Sequence, residues 1–221
     1  MSVGLASSPC DGAPNLEREF FEIAQGWDQA RYAIQDEPAQ LAALRELARR
    51  TEVLAQQFPN VARIRVWQGI LLAGEADDSD WLAALRLAND SQRILLATEH
   101  EPLDRATTAL LETALGALYA QTPQFPVAFG DRALAEAHLR RGLEADPAGL
   151  EPNYYYADFL YRQHRYDEAE RALNNPWRRS RAPVAKLATT ACVRRQWICL
   201  PKFGSGEGLD RKPKAPVLNA F

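Results

Sequence analysis

The stretch from Leu150 to Leu173, LEPNYYYADFLYRQHRYDEAERAL, constrains the fold more than any other part of this chain. Its residue spacing predicts two helices joined by a tight turn. Small residues lie where the helices must cross closely, and bulky residues lie around them. The small ones are Ala157, Ala169 and Ala172, and the bulky ones are Tyr156, Leu160 and Leu173. Because a similar pattern occurs upstream, and such hairpins bury their apolar faces only by stacking, the sequence predicts an all-α solenoid.

Apolar residues at helical spacing predict six more helices before this pair. Their predicted bounds are about 16–34, 37–58, 61–73, 81–99, 103–119 and 132–145. Asn60 is predicted to cap the third helix and Ser79 or Asp80 the fourth, because their side chains can accept from free amides of the first turn. A ninth helix is predicted at about 184–198.

The charge of the chain is divided between two regions. From Trp177 onward there are ten Lys and Arg residues against Glu207 and Asp210, a net charge of +8, whereas the whole chain carries -3 and the remainder therefore -11. Three interpretations of the basic end stay open. It is a final cap that docks on the acidic body, a flexible tail, or a segment unlike its relatives, as a shifted reading frame would produce. We expect no nucleic-acid partner.

Several classes of protein are excluded by what the sequence lacks. No apolar run approaches the ~20 residues of a membrane helix, so we expect no transmembrane segment. The first residues lack the features of a signal peptide, which predicts the cytoplasm for the chain as written and the periplasm if the true start lies upstream. Three cysteines and three widely separated histidines predict no disulfide framework, metal site or cofactor. Because no catalytic motif is present, we expect no enzyme.

The hairpins resemble the tetratricopeptide-repeat family, in which a small residue of the first helix meets an alanine of the second and a proline follows. The third unit matches at Tyr156, Ala157, Leu160 and Ala169. The second matches at Leu115, Gly116, Tyr119, Ala135, Leu139, Gly142 and Pro147, and the first at Trp67, Gly69, Ala97 and Pro102. From Gly116 to Pro147 is 31 residues, against about 24 in a standard repeat of ~34 residues, and the excess is the loop QFPVAFG. The resemblance covers about 60–176.

This resemblance implies a right-handed superhelix of antiparallel hairpins and the following domain organisation. We expect a disordered N-terminus (1–14), a repeat domain (15–176), a basic helical cap (177–200) and a flexible tail (201–221). Within the repeat domain we expect a capping hairpin (15–59) and units at about 60–102, 103–147 and 150–176. Leucine at Gly116 or Ala157 should overpack the helix crossing and cost roughly 1–3 kcal/mol.

A narrower resemblance depends on the segment from Tyr119 to Leu160 with its P-x-F-P-x-x-F-G-D loop. It is similar to a group of bacterial tetratricopeptide-like proteins without an established activity, many of which look exported. A more distant likeness is to the T-component of tripartite transporter systems. The main hypothesis is a non-catalytic scaffold that binds a peptide, a protein or its own copy. The alternative is a ligand-binding accessory subunit of a bacterial transport or cell-envelope system.

Two sets of residues are candidate sites. The family's groove positions, carried onto the third unit, are Glu151, Tyr154, Asp158, Tyr161 and Arg162. Tyrosines beside charges suit peptide recognition, and the competing interpretation is a helix-packing surface. The second set is the loop residues Phe125, Phe129, Gly130 and Asp131, which form either a ligand site or a local structure in which both phenylalanines fill a gap and Asp131 caps the next helix.

Overall fold

The computed structural model describes residues 15–77 and 79–173, and these residues form helices with no strand. The helices are α1 (Leu16–Asp28), a π-helical turn (Gln29–Ala33), α2 (Glu37–Gln57), α3 (Ala62–Asp77), α4 (Trp81–Glu99), α5 (Arg105–Gln121), α6 (Arg132–Ala145), α7 (Leu150–Arg162) and α8 (Tyr166–Leu173). The predicted all-α class is confirmed. The expected disordered N-terminus, ninth helix, basic cap and tail lie outside the described residues.

Aspartate and asparagine side chains define where several of these helices begin. An oxygen of the residue before the first turn accepts a hydrogen bond from a backbone amide two or three positions on, which satisfies a donor that has no partner within the helix. The capping residues are Asn15, Asp36, Asp80, Asp104 and Asp131. The prediction for Asp80 is confirmed. The prediction for Asn60 is wrong, because α3 begins at Ala62 and Asn60 lies outside the capping position.

Glycines of the first helices allow each hairpin to close tightly. A Cβ atom added at Gly26 would lie 2.7 Å from Leu47 of α2, one at Gly69 would lie 2.6 Å from Leu95 of α4, and one at Gly116 would lie 2.5 Å from Leu139 of α6. Each of these leucines belongs to the second helix of the same hairpin. The same arrangement, a leucine side chain packed against the backbone of a glycine, therefore recurs in three successive hairpins.

In the first predicted unit, the residue of α4 that lies at the crossing with α3 is not the one expected from the sequence. Ala97 is exposed, so the prediction that it lies at the crossing is wrong. Ser91, which is fully buried, lies there instead and donates a hydrogen bond from Oγ to the carbonyl oxygen of Gly69 at 2.7 Å. A serine can replace alanine at this position because the neighbouring backbone supplies an acceptor for its hydroxyl.

Consecutive helices pack as pairs, and the first helices of successive pairs also contact one another. α3 contacts α5, and α5 contacts α7. Trp27 of α1 packs against Gly74 of α3 and extends this row. Among the described residues, no two second helices make comparable contacts. The first helices are therefore the closer set and lie on the inside of a curved stack, as a helical solenoid requires.

The buried side chains form two large neighbouring clusters and a small third one, made of Ala76, Ala84 and Leu87 between α3 and α4, rather than one compact centre. One cluster lies among α1, α2 and α3, and the other extends from α3 to α8. Ile70 of α3 and Leu110 of α5 pack against both clusters and connect them. This continuous core holds the hairpins in a fixed order, which positions the inner surface described next.

Candidate functional site

One side of α7 presents two tyrosines and two carboxylates. Glu151, Tyr154, Tyr155 and Asp158 are spaced three or four residues apart, so they lie on one face of the helix. Glu151 is exposed, and the other three are half-buried. The rings of Tyr154 and Tyr155 meet edge to face with centroids 5.5 Å apart. This face therefore combines accessible aromatic area with negative charge.

The π-helical turn after α1 and the end of α3 supply the opposite side of this surface. Arg31 Nη2 donates to Asp77 Oδ2 at 2.9 Å, and the Arg31 guanidinium lies 5.6 Å from the centroid of the Trp27 ring. Asp77 is 8% exposed. Arg31 lies in a π-helical turn, a rare element that occurs frequently at functional sites.

Electrostatic interactions place the two sides near each other. Burial raises the pKa of Tyr155 to about 12, the positive charge of Arg31 opposes this, and the carboxylates of Asp77, Glu151 and Asp158 add to it. Residues from α7, α3 and the π-helical turn thus lie within electrostatic range of one hydroxyl group. We call Asp28, Arg31, Asp77, Glu151, Tyr154, Tyr155 and Asp158 the inner face.

Two carboxylates of the inner face repel each other. Asp28 is exposed, but partial loss of its solvation raises its pKa, and the nearby negative charge of Glu151 raises it further. Within residues 15–77 and 79–173, no salt bridge joins either of these two carboxylates to a basic residue. The first and the last described hairpin therefore bring two exposed carboxylates, neither in a salt bridge, within electrostatic range of each other.

The five groove residues predicted from the sequence do not all lie on the same surface. Glu151, Tyr154 and Asp158 lie on the inner face, and Asp158 Oδ2 also accepts from Arg162 Nε at 2.8 Å. Tyr161 instead meets Tyr166 of α8 edge to face at 5.3 Å. The function of all five stays a prediction.

Sequence reasoning missed Tyr155 and the residues opposite it. Tyr155 lies four residues after Glu151 and three before Asp158, so helical spacing alone could have found it. Arg31 and Asp77 are more than 70 residues away from it in sequence. No local signal in the sequence connects them to α7, since their proximity comes from stacking of the hairpins.

The loop residues are placed by local structure. Asp131 Oδ1 accepts from the amides of Ala133 at 2.8 Å and Leu134 at 3.0 Å and so caps α6. A Cβ atom at Gly130 would lie 1.9 Å from the carbonyl oxygen of Thr122, so only glycine fits. Phe129 meets Tyr119 edge to face at 5.8 Å. The expectation that Phe125 fills a gap is wrong, because its side chain is 89% exposed.

A largely buried polar cluster among α4, α5 and α6 contains groups that ligate metals elsewhere. Glu99, Glu112 and His138 have ligand atoms within 4.8 Å of one another. Arg141 lies among them, with Nε 2.9 Å from Glu112 Oε2 and Nη2 3.3 Å from Glu99 Oε1. The guanidinium already supplies the positive charge that the carboxylates require, so a divalent cation would bind only with Arg141 displaced.

A cavity of about 330 Å³ lies at the last described hairpin, between α6, α7 and α8. Its lining is mostly apolar and includes Leu143, Tyr156, Leu160 and Ala172, with Glu168 and Arg171 at its edge. We call it the end cavity. It adjoins Leu173, the last described residue of α8.

Comparison with known proteins supports the helical-repeat interpretation. Residues 127–188 match the family model of the tetratricopeptide repeat. No curated protein and no solved structure matches the chain. The matched range includes α6, α7 and α8 and continues past Leu173. Together with the paired helices, the match supports a tetratricopeptide-like helical repeat protein. Within the described ranges, no helix has the length and apolar character needed to cross a membrane.

Proposed function

We propose that this chain is a non-catalytic interaction scaffold that binds a protein or peptide partner on its inner face. Tetratricopeptide repeats generally serve as scaffolds of this kind. The observation that supports the inner face as the binding surface is the meeting of α7, α3 and the π-helical turn around Tyr155. Surface tyrosines bring a large contact area at a small cost in side-chain entropy, which makes them frequent binding hot spots.

The contacts within the inner face favour recognition of a peptide with both apolar and polar groups. Tyr154 offers ring surface beside Tyr155, which packs against the core, and the nearby carboxylates accept hydrogen bonds from backbone amides or basic side chains. Arg31 is held by Asp77, so it can orient a partner's carbonyl groups from a fixed position. These groups bind and orient, and the proposal includes no chemical reaction.

Site-specific photo-cross-linking in the native host tests this proposal. A photoreactive phenylalanine analogue replaces Tyr154 in one variant and Val53 in a matched control. Val53 is an apolar residue of α2 that is 43% exposed and lies outside the inner face. We expect a discrete cross-linked protein from position 154 and not from position 53. Equal yields at both positions would contradict the inner face as the binding surface.

The alternative, a ligand-binding accessory subunit, stays a prediction and is distinguished by a second measurement. Native mass spectrometry of the full chain purified from its host would detect a small molecule that co-purifies. Such a molecule, lost in a Phe125→Ala variant and retained in Tyr154→Phe, would favour the alternative and a site at the loop. A protein partner with no bound small molecule would favour the scaffold.

A further inference from the structure

One histidine and two glutamates from three different helices converge in the middle of the stack. Glu99 is the last residue of α4, Glu112 lies in α5 and His138 lies in α6. One potential ligand atom of each lies within 4.8 Å of the others. Within residues 15–77 and 79–173, this is the single group of three histidine, cysteine or carboxylate side chains that meet so closely. We call Glu99, Glu112 and His138 the three-ligand cluster.

The three-ligand cluster needs positive charge because most of it is withdrawn from water. His138 and Glu112 are buried, and Glu99 is half-buried. A buried carboxylate requires a compensating cation. Arg141 supplies that charge through its contacts with both glutamates. Two carboxylates against one guanidinium still leave one unit of negative charge when the imidazole is neutral, so Arg141 compensates the cluster only in part.

The imidazole of His138 cannot satisfy both of its polar neighbours at once. Nδ1 lies 2.8 Å from Glu112 Oε2 and 2.6 Å from Arg141 Nη2. When Nδ1 carries a proton, it donates to the carboxylate but faces an N–H group of the guanidinium. When Nδ1 carries a lone pair, it accepts from the guanidinium but faces the carboxylate. A metal ion bound to Nδ1 and Oε2 removes this conflict, because both atoms then act as ligands.

We propose that the three-ligand cluster binds one Zn²⁺ ion in exchange for the side chain of Arg141. Zinc binds imidazole nitrogen and carboxylate oxygen at about 2.0–2.2 Å, and a tetrahedral arrangement separates its ligand atoms by about 3.4 Å. The 2.8 Å between Nδ1 and Oε2 and the 4.8 Å limit for the cluster bracket that separation. Side-chain shifts on the order of 1 Å therefore suffice, and water takes the fourth position. The proposal departs from the sequence-based expectation of no metal site, which depended on the number and spacing of histidines and cysteines.

Arg141 can leave the cluster because its side chain already reaches solvent. That side chain is 48% exposed, whereas those of His138 and Glu112 are 5% and 8% exposed. The guanidinium therefore moves into water while the buried ligands stay in place. Two carboxylates and one divalent cation then form a neutral cluster. Arg141 is thus a competitor of the ion, and the bound ion joins α4 of one hairpin to α6 of the next.

Calorimetric titration of the full chain with zinc tests the proposal. Cys10, Cys192 and Cys199 are first alkylated with N-ethylmaleimide, because thiolates also bind zinc. We expect saturable binding of one Zn²⁺ per chain. Mg²⁺ should not bind, because it requires oxygen ligands in octahedral geometry. Zinc should also raise the melting temperature, since an ion bound only by the folded chain stabilises it.

Matched variants assign the ion to the cluster. Arg141→Ala should tighten zinc binding severalfold, whereas Arg140→Ala, which removes an exposed arginine that pairs with Glu136 instead, should leave it unchanged. Glu99→Gln should weaken binding at least about tenfold, since loss even of a residue that only supports a ligand costs about 10–100-fold. His138→Gln should abolish it. Far-UV circular dichroism checks that each variant folds, and the half-buried Glu99 keeps the test valid if His138→Gln does not.

Several outcomes would overturn the proposal. Zinc binding that is unchanged in Glu99→Gln would place the ion elsewhere, and Mg²⁺ affinity equal to that of Zn²⁺ would show only a general attraction of cations to carboxylates. An Arg141→Ala variant that binds no zinc would show that the cluster is a structural ion-pair network, and one that binds zinc no more tightly than the unaltered chain would contradict the exchange. The proposal goes beyond the scaffold function and does not depend on it, so a partner cross-linked from position 154 would be unaffected by any of these results.

Discussion

The contact between Gly116 and Leu139 yields a quantitative prediction about the fold. A Cβ atom at Gly116 would lie 2.5 Å from Leu139 Cγ, 2.9 Å from Cδ2 and 2.9 Å from the backbone nitrogen of Leu139. Gly116→Ala should therefore overpack the crossing of α5 and α6 by about 1–3 kcal/mol. Alanine gains about 1 kcal/mol of helix propensity over glycine. The net loss of unfolding free energy is thus up to about 2 kcal/mol.

The same substitution should behave differently when Leu139 is alanine. Leu139→Ala alone should cost about 2–5 kcal/mol, since Leu139 is fully buried. It also removes Cγ and Cδ2, and only the contact with the backbone nitrogen remains. In that background Gly116→Ala should cost much less, because only the 2.9 Å approach to the backbone nitrogen still requires a shift and the gain in helix propensity offsets part of it. The double-mutant cycle should therefore give a favourable coupling of about 1–3 kcal/mol.

Urea unfolding followed by far-UV circular dichroism measures all four proteins. The four free energies of unfolding are comparable only if the m-values are equal, because stacked hairpins can lose cooperativity when one interface is weakened. Gly69→Ala is the matched control. The nearest atoms to its added Cβ are side-chain carbons of Leu95, and a rotamer change can move them. Additivity within about 0.5 kcal/mol at Gly116 and Leu139 would refute the crossing described here.

Two further predictions concern single side chains. Asp131→Ala should lower the free energy of unfolding by roughly 0.5–2 kcal/mol, because Asp131 Oδ1 caps two amides of α6; an unchanged melting temperature would contradict the cap. Asp28→Asn should raise the melting temperature slightly near neutral pH, because partial loss of solvation and the charge of Glu151 raise the pKa of this exposed residue in the folded state and the charged carboxylate is therefore unfavourable there. The gain should disappear below the ordinary pKa of 3.8, where both states are protonated; melting curves of both proteins across pH decide this, and a gain that persists in acid would count against it.

Much of the fold was predictable because local signals agreed with one another. The predicted bounds of the sixth helix, 132–145, are those of α6. Asp131 provides a cap at one end, and Asp146 followed by Pro147 ends the helix at the other. α3 runs to Asp77 rather than 73, since Glu75 and Ala76 continue the helix before Asp80 begins the next one.

Other features of the fold had no local signal. The first helix was predicted as one α-helix over 16–34, whereas Gln29–Ala33 form a π-helical turn. A π-helical turn shifts the angular position of the residues in it, and side-chain periodicity alone does not reveal where this happens. Ser91 was not predicted at the crossing because a polar residue there is acceptable only when a backbone acceptor, here the carbonyl of Gly69, is within reach.

The inner face illustrates why the candidate site was harder to predict than the helices. Each hairpin was identifiable within about 40 residues of sequence, but Tyr155 comes within electrostatic range of Arg31 and Asp77 only after the hairpins have been stacked. In a solenoid, each interface adds a small rotation, so the distance between the first and last hairpins depends on the sum of them. A change of packing at a single crossing, such as that of Gly116 with Leu139, would therefore displace α7 relative to the π-helical turn. It would alter the inner face without touching any of its residues.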